Sequence, residues 1–290
     1  MEQMTGLIGG SGLGDALQEH IENVKQVEVD TPFGRPSGKI LIGTLAGSQI
    51  AFINRHGEGH KFSPSTVPYT ANIFALKKLG VTSVISSGAV GSLKQDIKPK
   101  DVVIVDQVID KTFKRQNTFF DNIGAAHCEL AHPYCGRLRN TLLSEAGKIK
   151  TKVHSEATYV CMEGPQFSTR AESLMHIKWG GQLIGMTAMP EAKLAREAQM
   201  CFALVALISD YDCWQEHNEK KDAQTLLAEI IGNLNEATAN TIELIKAVLK
   251  SGRMLCDDDC PCRKSLDLAI WTRPEQIEPK YKEIIKVLKQ

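Results

Sequence analysis

The sequence predicts an α/β fold in a single domain, with a mixed central sheet flanked by helices. Three observations carry this. Short β-rich apolar runs alternate with longer helical patterns nearly from end to end, the arrangement that feeds strands into a sheet and lays helices on its faces. Residues 39–44 and 49–54, joined by Leu45-Ala46-Gly47-Ser48, read as a hairpin and so bring antiparallel pairing into the sheet. No internal repeat or low-complexity linker divides the chain, and 290 residues are ample for one large core.

The elements follow in order. Residues 5–8 form a short apolar strand closed by a glycine turn, and the 39–44/49–54 hairpin comes next. A helical pattern covers 66–79, then an apolar strand at 83–87 runs into Gly88. Residues 101–107 read as one strand, 135–146 as a helix and 159–162 as a strand. Helix 169–179, strand 183–186 and helix 191–197 precede the most apolar strand, 202–209. A long helix at 222–249 and an amphipathic one at 274–288 complete the chain. Residues 1–250 are expected to form the domain proper. Residues 251–290 open on a cysteine cluster and read as a helical extension, packed on the same domain or on a neighbouring subunit.

Thirty-four basic and 34 acidic side chains leave no formal net charge, so the chain has no electrostatic reason to coat nucleic acid or an anionic membrane. The first residues lack the basic start, apolar stretch and small-residue cleavage site of a secretory signal. The longest apolar stretch, 201–209, is far too short to span a bilayer. A soluble cytoplasmic protein working on small molecules is the expectation.

Of eight cysteines, Cys128, Cys135, Cys161, Cys201 and Cys213 lie in segments that read as core, where a free thiol is a small hydrophobe. Cys256, Cys260 and Cys262 stand together in Cys-Asp-Asp-Asp-Cys-Pro-Cys. Three close thiols can bind zinc, but no second Cys-x2-Cys knuckle accompanies them. A structural or redox thiol cluster is the preferred reading, with Cys135/Cys201 and Cys260/Cys262 as the pairs a disulfide would join. No metal is expected.

Five segments carry chemistry. Gly9-Gly10-Ser11-Gly12 follows the first strand, and glycine turns there let backbone N–H groups and a hydroxyl approach an anion. The third glycine of a dinucleotide fingerprint is missing, Asp15 standing in its place, which argues against an NAD-dependent oxidoreductase. Arg55-His56 closes the second hairpin strand and can aim a fixed cation and a titratable donor at one anion. Taken alone, that dipeptide reads rather as an Arg paired with a local carboxylate beside a surface histidine. Ser86-Ser87-Gly88-Ala89-Val90-Gly91-Ser92-Leu93 reads as a third backbone-rich loop at a strand's end. The fourth segment is Met162-Glu163-Gly164-Pro165-Gln166-Phe167 with Gly185-Met186-Thr187. The fifth sets Asp210 and Asp212 at the end of the most apolar strand, where carboxylates are costly unless paired, solvated or used.

Together these residues carry a resemblance. The ordered motifs Gly-Gly-Ser-Gly-Leu, Asp30-Thr31-Pro32-Phe33-Gly34, Arg55-His56-Gly57, Ala71-Asn72-Ile73-Phe74-Ala75-Leu76-Lys77 and Ala89-Val90-Gly91-Ser92-Leu93 come first. Glu163-Gly164-Pro165-Gln166-Phe167-Ser168-Thr169-Arg170-Ala171-Glu172, Gly185-Met186-Thr187, Pro190-Glu191 and Asp210-Tyr211-Asp212-Cys213-Trp214 follow. Over about residues 5–250 the chain resembles the 5′-methylthioadenosine phosphorylase branch of the trimeric purine nucleoside phosphorylases.

That resemblance implies a barrel-like mixed sheet and phosphorolysis of 5′-methylthioadenosine to adenine and 5-methylthioribose-1-phosphate. A methylthioinosine or general purine nucleoside phosphorylase is the alternative. It implies phosphate binding by Ser11, Arg55, His56, the backbone of Ala89, and Thr187. Many relatives have Thr where this chain has Gly88, so one hydroxyl contact is missing. Met186 is implied at the ribose, Phe167 at the base, and Asp210 and Asp212 on the adenine. Asp210 would share a proton with the leaving base, its pKa raised by burial near Asp212. Ala223, Leu226 and Leu227 would face the methylthio group, closed by His127 of an adjacent subunit in a homotrimer or pair of trimers. Phosphate is a co-substrate, and no cofactor is implied.

Overall fold

The computed structural model describes residues 4–215 and 222–290. The chain opens with β1 (Thr5–Gly9) and the short helix α1 (Leu13–Gln18). An antiparallel run of β2 (Glu22–Val27), β3 (Ile40–Leu45) and β4 (Ser48–Asn54) follows. Helix α2 (Tyr69–Lys78) leads into β5 (Ser83–Ser92), then β6 (Val102–Ile104) and β7 (Gln107–Asp110). Next come α3 (Gly136–Glu145), β8 (Val153–His154), β9 (Thr158–Cys161), α4 (Arg170–Lys178) and β10 (Leu183–Gly185). Helix α5 (Ala188–Glu197), β11 (Cys201–Tyr211), α6 (Ala223–Lys250) and α7 (Pro279–Leu288) complete the order.

These strands form one eleven-stranded mixed sheet, flanked by helices as expected. Its path is β2-β3-β4-β1-β5-β10-β9-β7, with β11 on β5 and β6, and β8 on β6. The sheet branches at β5. One edge of β5 pairs first with parallel β1 and then with antiparallel β10, while β11 runs parallel along the other edge. A strand whose partners change halfway cannot lie in a flat sheet, so the layers bend around β5.

Strand β11 is buried from Cys201 through Ser209 and packs under α6. Apolar side chains on its two faces, such as Leu204 and Val205, enter two different core clusters, as the period of two requires. Fully burying a Leu or Ile contributes roughly 1.5–3 kcal/mol. Helix starts are marked by side chains. Thr169 and Glu172 form a capping box on α4, and Asp222 accepts from Thr225 N at 2.8 Å on α6. Among the described residues no helix is long and apolar enough to cross a membrane.

Several elements differ from the sequence expectation. The segment 86–93 is not a loop, because β5 continues through Ser92 and is held on both edges. The expected strand 101–107 divides into β6 and β7, which pair with different neighbours, and Asp106 accepts from Ala157 N at the break. The helix expected over 274–288 is a 3-10 turn followed by α7, restarted by Pro279 at a position that requires no N–H. Strand β2 and helix α1 were not foreseen. The first is an exposed polar edge strand and the second is only six residues long.

The residues after α6 fold back over the same body. Leu255, Cys256, Cys260 and Cys262 enter one core cluster, while Leu266, Ile277, Ile284 and Leu288 enter the other. Leu288, two residues from the end, is fully buried. Leu288→Ala is therefore expected to cost about 2–5 kcal/mol in urea unfolding, as for a core leucine. A cost within about 0.5 kcal/mol, the surface value, would show that this segment lies outside the cooperative core.

Candidate active site

Strands β4, β1, β5 and β11 are mutually parallel neighbours, so their C-terminal ends meet on one side of the sheet, where open α/β sheets hold ligands. Ser11 follows β1, Arg55 and His56 follow β4, and Gly88–Gly91 lie on the far half of β5. Antiparallel β10 runs back along the end of β5, which brings Thr187 beside Gly88. All of these, with Met186, Ser209, Asp210 and Asp212, line one cavity of about 780 Å³, a size usual for small-molecule sites.

Arg55 has no solvent exposure. Its Nε donates to Glu191 Oε1 at 2.5 Å and its Nη2 to Glu191 Oε2 at 3.1 Å. Nη2 also donates to Ser86 Oγ (2.6 Å) and Nη1 to the Ser87 carbonyl (2.8 Å). Burial works against the charge, but Glu191 outweighs it and the guanidinium is held above its ordinary value. Four of the five N–H groups are thus engaged, leaving one on Nη1. A Cβ on Gly10 would stand 2.3 Å from that Nη1, so glycine is required for the turn to close over the guanidinium. Gly88 is less crowded, a Cβ there meeting Thr187 Oγ1 at 3.1 Å.

His56 is also buried, its ring stacked on His60 with centroids 4.1 Å apart. Its Nδ1 lies 2.8 Å from the Phe62 carbonyl oxygen. A carbonyl only accepts, so Nδ1 carries the hydrogen and the neutral ring leaves a bare lone pair on Nε2. Burial and the neighbouring Arg55 push the imidazole down to about 4. Near neutral pH it is an uncharged acceptor.

At the other side of the cavity, Asp210 stands near the end of β11 and Asp212 one residue beyond it, both lining the cavity. A register shift between Ile208 and Asp210 turns the strand end there, the usual use of a bulge. Ser209 Oγ donates to Asp210 Oδ1 at 2.5 Å. Asp212 is buried, and Gly91 leaves room for it, a Cβ there standing 3.3 Å from its own.

A second buried arginine, unforeseen in the sequence, knits the walls together. Arg115 donates to the carbonyls of Met186 (2.5 Å), Met189 (2.6 Å) and Glu163 (2.7 Å) and pairs with the Glu163 carboxylate at 3.3 Å. Glu163 in turn accepts from Ser65 Oγ and from Phe113 N (2.6 Å). No motif marks Arg115, and Glu191 was visible only as part of a Pro-Glu pair.

The remaining expected residues are scattered. Phe167 lines the cavity but is 84% exposed, standing at its rim. Ala223, Leu226 and Leu227 lie in the first turns of α6 and do not line the cavity; Ile230 and Leu234 on the same helix do. His127 is an exposed residue, edge-on to Trp271 at 5.1 Å and away from the cavity of its own chain.

Comparison with known proteins bears on this arrangement. The family model described as the phosphorylase superfamily matches residues 5–250. An S-methyl-5′-thioadenosine phosphorylase of Cereibacter sphaeroides is 46% identical over 96% of this chain and 94% of its own. One from Geobacter sulfurreducens is 42% identical over 99% and 98%. The crystal structure of a methylthioadenosine phosphorylase from an antarctic soil metagenomic library superposes with a TM-score of 0.89. It is 40% identical, with 99% of both chains covered.

The state of His56 yields a pH dependence. Between its ordinary 6.5 and about 4 the unfolded chain binds a proton that the folded chain does not. Stability is therefore lost as pH falls through that window, with no further loss from this group below it. Urea unfolding at about pH 7 and about pH 4.5 should show a smaller drop for His56→Gln than for the unaltered protein. Equal drops would mean that His56 is not the group responsible.

Proposed function

The chain belongs to the phosphorylase superfamily, and from that premise we propose that it cleaves 5′-methylthioadenosine with inorganic phosphate, yielding adenine and 5-methylthioribose-1-phosphate. The names of its relatives support this substrate. The observation that carries the reading is a single cavity with anion-binding donors beside Gly88 and two carboxylates beside Gly91. Three residues of strand, about 10 Å, separate these points, a length suited to a pentose with phosphate on one side and base on the other.

Phosphate takes Ser11, the remaining N–H of Arg55, the backbone of Ala89, and Thr187. Neutral His56 accepts from the O–H of a monoprotonated phosphate. Because Glu191 already balances Arg55, directed donors rather than net charge hold the anion. Gly88 adds no hydroxyl, leaving Ser11 and Thr187 to supply that chemistry. As the glycosidic bond breaks, the sugar becomes oxocarbenium-like and the departing adenine gains negative charge. Asp210 shares a proton with the imidazole-ring nitrogen, and Asp212 accepts from the exocyclic amine. Met186 lies against the ribose and Phe167 against the base. The scheme calls on no metal or organic cofactor.

Ile230 and Leu234 provide the inner apolar wall for the 5′-methylthio group. Ala223, Leu226 and Leu227 extend it outward, where His127 of a neighbouring subunit closes it. The exposure of Leu227 and Ile231 on this face of α6 supports such a contact, and the reading includes a cytoplasmic homotrimer or pair of trimers.

The decisive assay follows adenine release from methylthioadenosine by ultraviolet absorbance, with and without phosphate; release independent of phosphate would overturn the proposal. The carboxylates are tested separately. Asp210→Asn should lower kcat/KM for methylthioadenosine about 5- to 150-fold relative to methylthioinosine, since one unpaired buried group costs about 1–3 kcal/mol. An unchanged ratio would remove Asp210 from base recognition.

A further inference from the structure

Five cysteines gather at the end of β11 opposite the cavity. Cys201 opens β11, Cys135 is the N-cap of α3, and Cys260 and Cys262 flank Pro261 at the start of a 3-10 turn, Pro261–Lys264. The Sγ atoms of Cys135, Cys201, Cys260 and Cys262 all lie within 4.8 Å of one another. Cys260 Sγ is 3.7 Å from that of Cys135 and 3.4 Å from that of Cys201. A tetrahedral zinc with bonds of about 2.3 Å holds its sulfurs about 3.8 Å apart. None of the four side chains is more than 5% exposed.

A second observation concerns charge. Lys77 on α2 is 1% exposed and its Nζ has no hydrogen-bond partner. Burial first, then the nearby Arg263, hold this amine down to about 7, while Cys256 and Cys201 act on it in the opposite sense. An ammonium buried without a partner is costly beside neutral thiols or disulfides, and is matched by thiolates, while the Arg263 guanidinium nearby donates to the carbonyls of Gln199 and Gln290. A zinc ion with four thiolates carries a net double negative charge, which Lys77 and Arg263 balance.

We propose that Cys135, Cys201, Cys260 and Cys262 bind one zinc ion as thiolates, each thiol releasing its proton on binding. Cys256, whose Sγ is 3.0 Å from that of Cys201, stays outside the ligand set. Four protein ligands leave no open coordination position, so the site is structural. From Cys201 to Ser209 is eight strand residues, about 26 Å, which separates the ion from the reaction. Its role is to fasten residues 255–262 to α3 and β11.

The test is metal content of the full-length protein, expressed without added zinc and purified under reducing conditions. Elemental analysis should find about one zinc per chain. Replacement by cobalt should produce the intense charge-transfer and visible bands of a tetrahedral thiolate site. Cys262→Ser should lose the ion, while Cys256→Ser and Cys128→Ser keep it. Since a misfolded variant would also lose metal, the unaltered protein decides. If it neither contains zinc nor takes it up after reduction, the proposal is overturned. Iron in place of zinc, intact masses showing disulfides among these four cysteines, or full zinc in Cys262→Ser would overturn it equally. None of these readings depends on the reaction catalysed.

Discussion

The buried pair of Arg55 and Glu191 constrains the rest of the cavity. Removing a guanidinium and a carboxylate from water costs several kcal/mol per ion, and the pair survives only with its hydrogen bonds completed. Two parallel contacts join the charges, and Ser86 Oγ and the Ser87 carbonyl take two more N–H groups. Ser86 also donates to Glu191 Oε2 at 2.7 Å. Those bonds join the end of β4, the middle of β5 and the first turns of α5. Loss of either partner would leave an unmatched buried charge, worth about 3–5 kcal/mol. Glycine at position 10 follows from the same constraint.

The fold was legible where periodicity is strong. Apolar runs gave most strands, because strands buried on both faces show no polar alternation to obscure them. β2 escaped because its side chains face solvent and only β3 determines its conformation. β5 was cut short at Gly88, since glycine in isolation signals a turn. In the folded chain it continues the strand, with neighbours on both edges.

Site residues divide by the same logic. Ser11, Arg55, His56, Met186, Thr187, Asp210 and Asp212 stand at or beside strand ends, so position in the sequence already implied proximity. Glu191 and Arg115 act through partners 136 and 71 residues away, respectively, and no local pattern reports such distances. On α6 the cavity-lining positions are Ile230 and Leu234, one and two turns beyond the expected Leu226 and Leu227. Helical periodicity gives the face, but the depth at which a helix meets a pocket is set by packing. The cysteines follow the same rule, because Cys260 and Cys262 are two residues apart in sequence whereas Cys135 and Cys201 join them only through the tertiary fold.

Strand β11 begins among those cysteines and leads to the two cavity aspartates, Asp210 within it and Asp212 one residue past its end, with no solvent-exposed residue between. Such a strand can change its side chains but not its length. Inserting or deleting one residue would turn every following side chain to the opposite face, sending Asp210 and Asp212 out of the cavity while Cys201 stayed in place. The bulge at Ser209 already contains the one irregularity the strand accommodates. Across descendants of this sequence, length variation should therefore accumulate in the surface connections, such as those around β2, and be absent between positions 201 and 212.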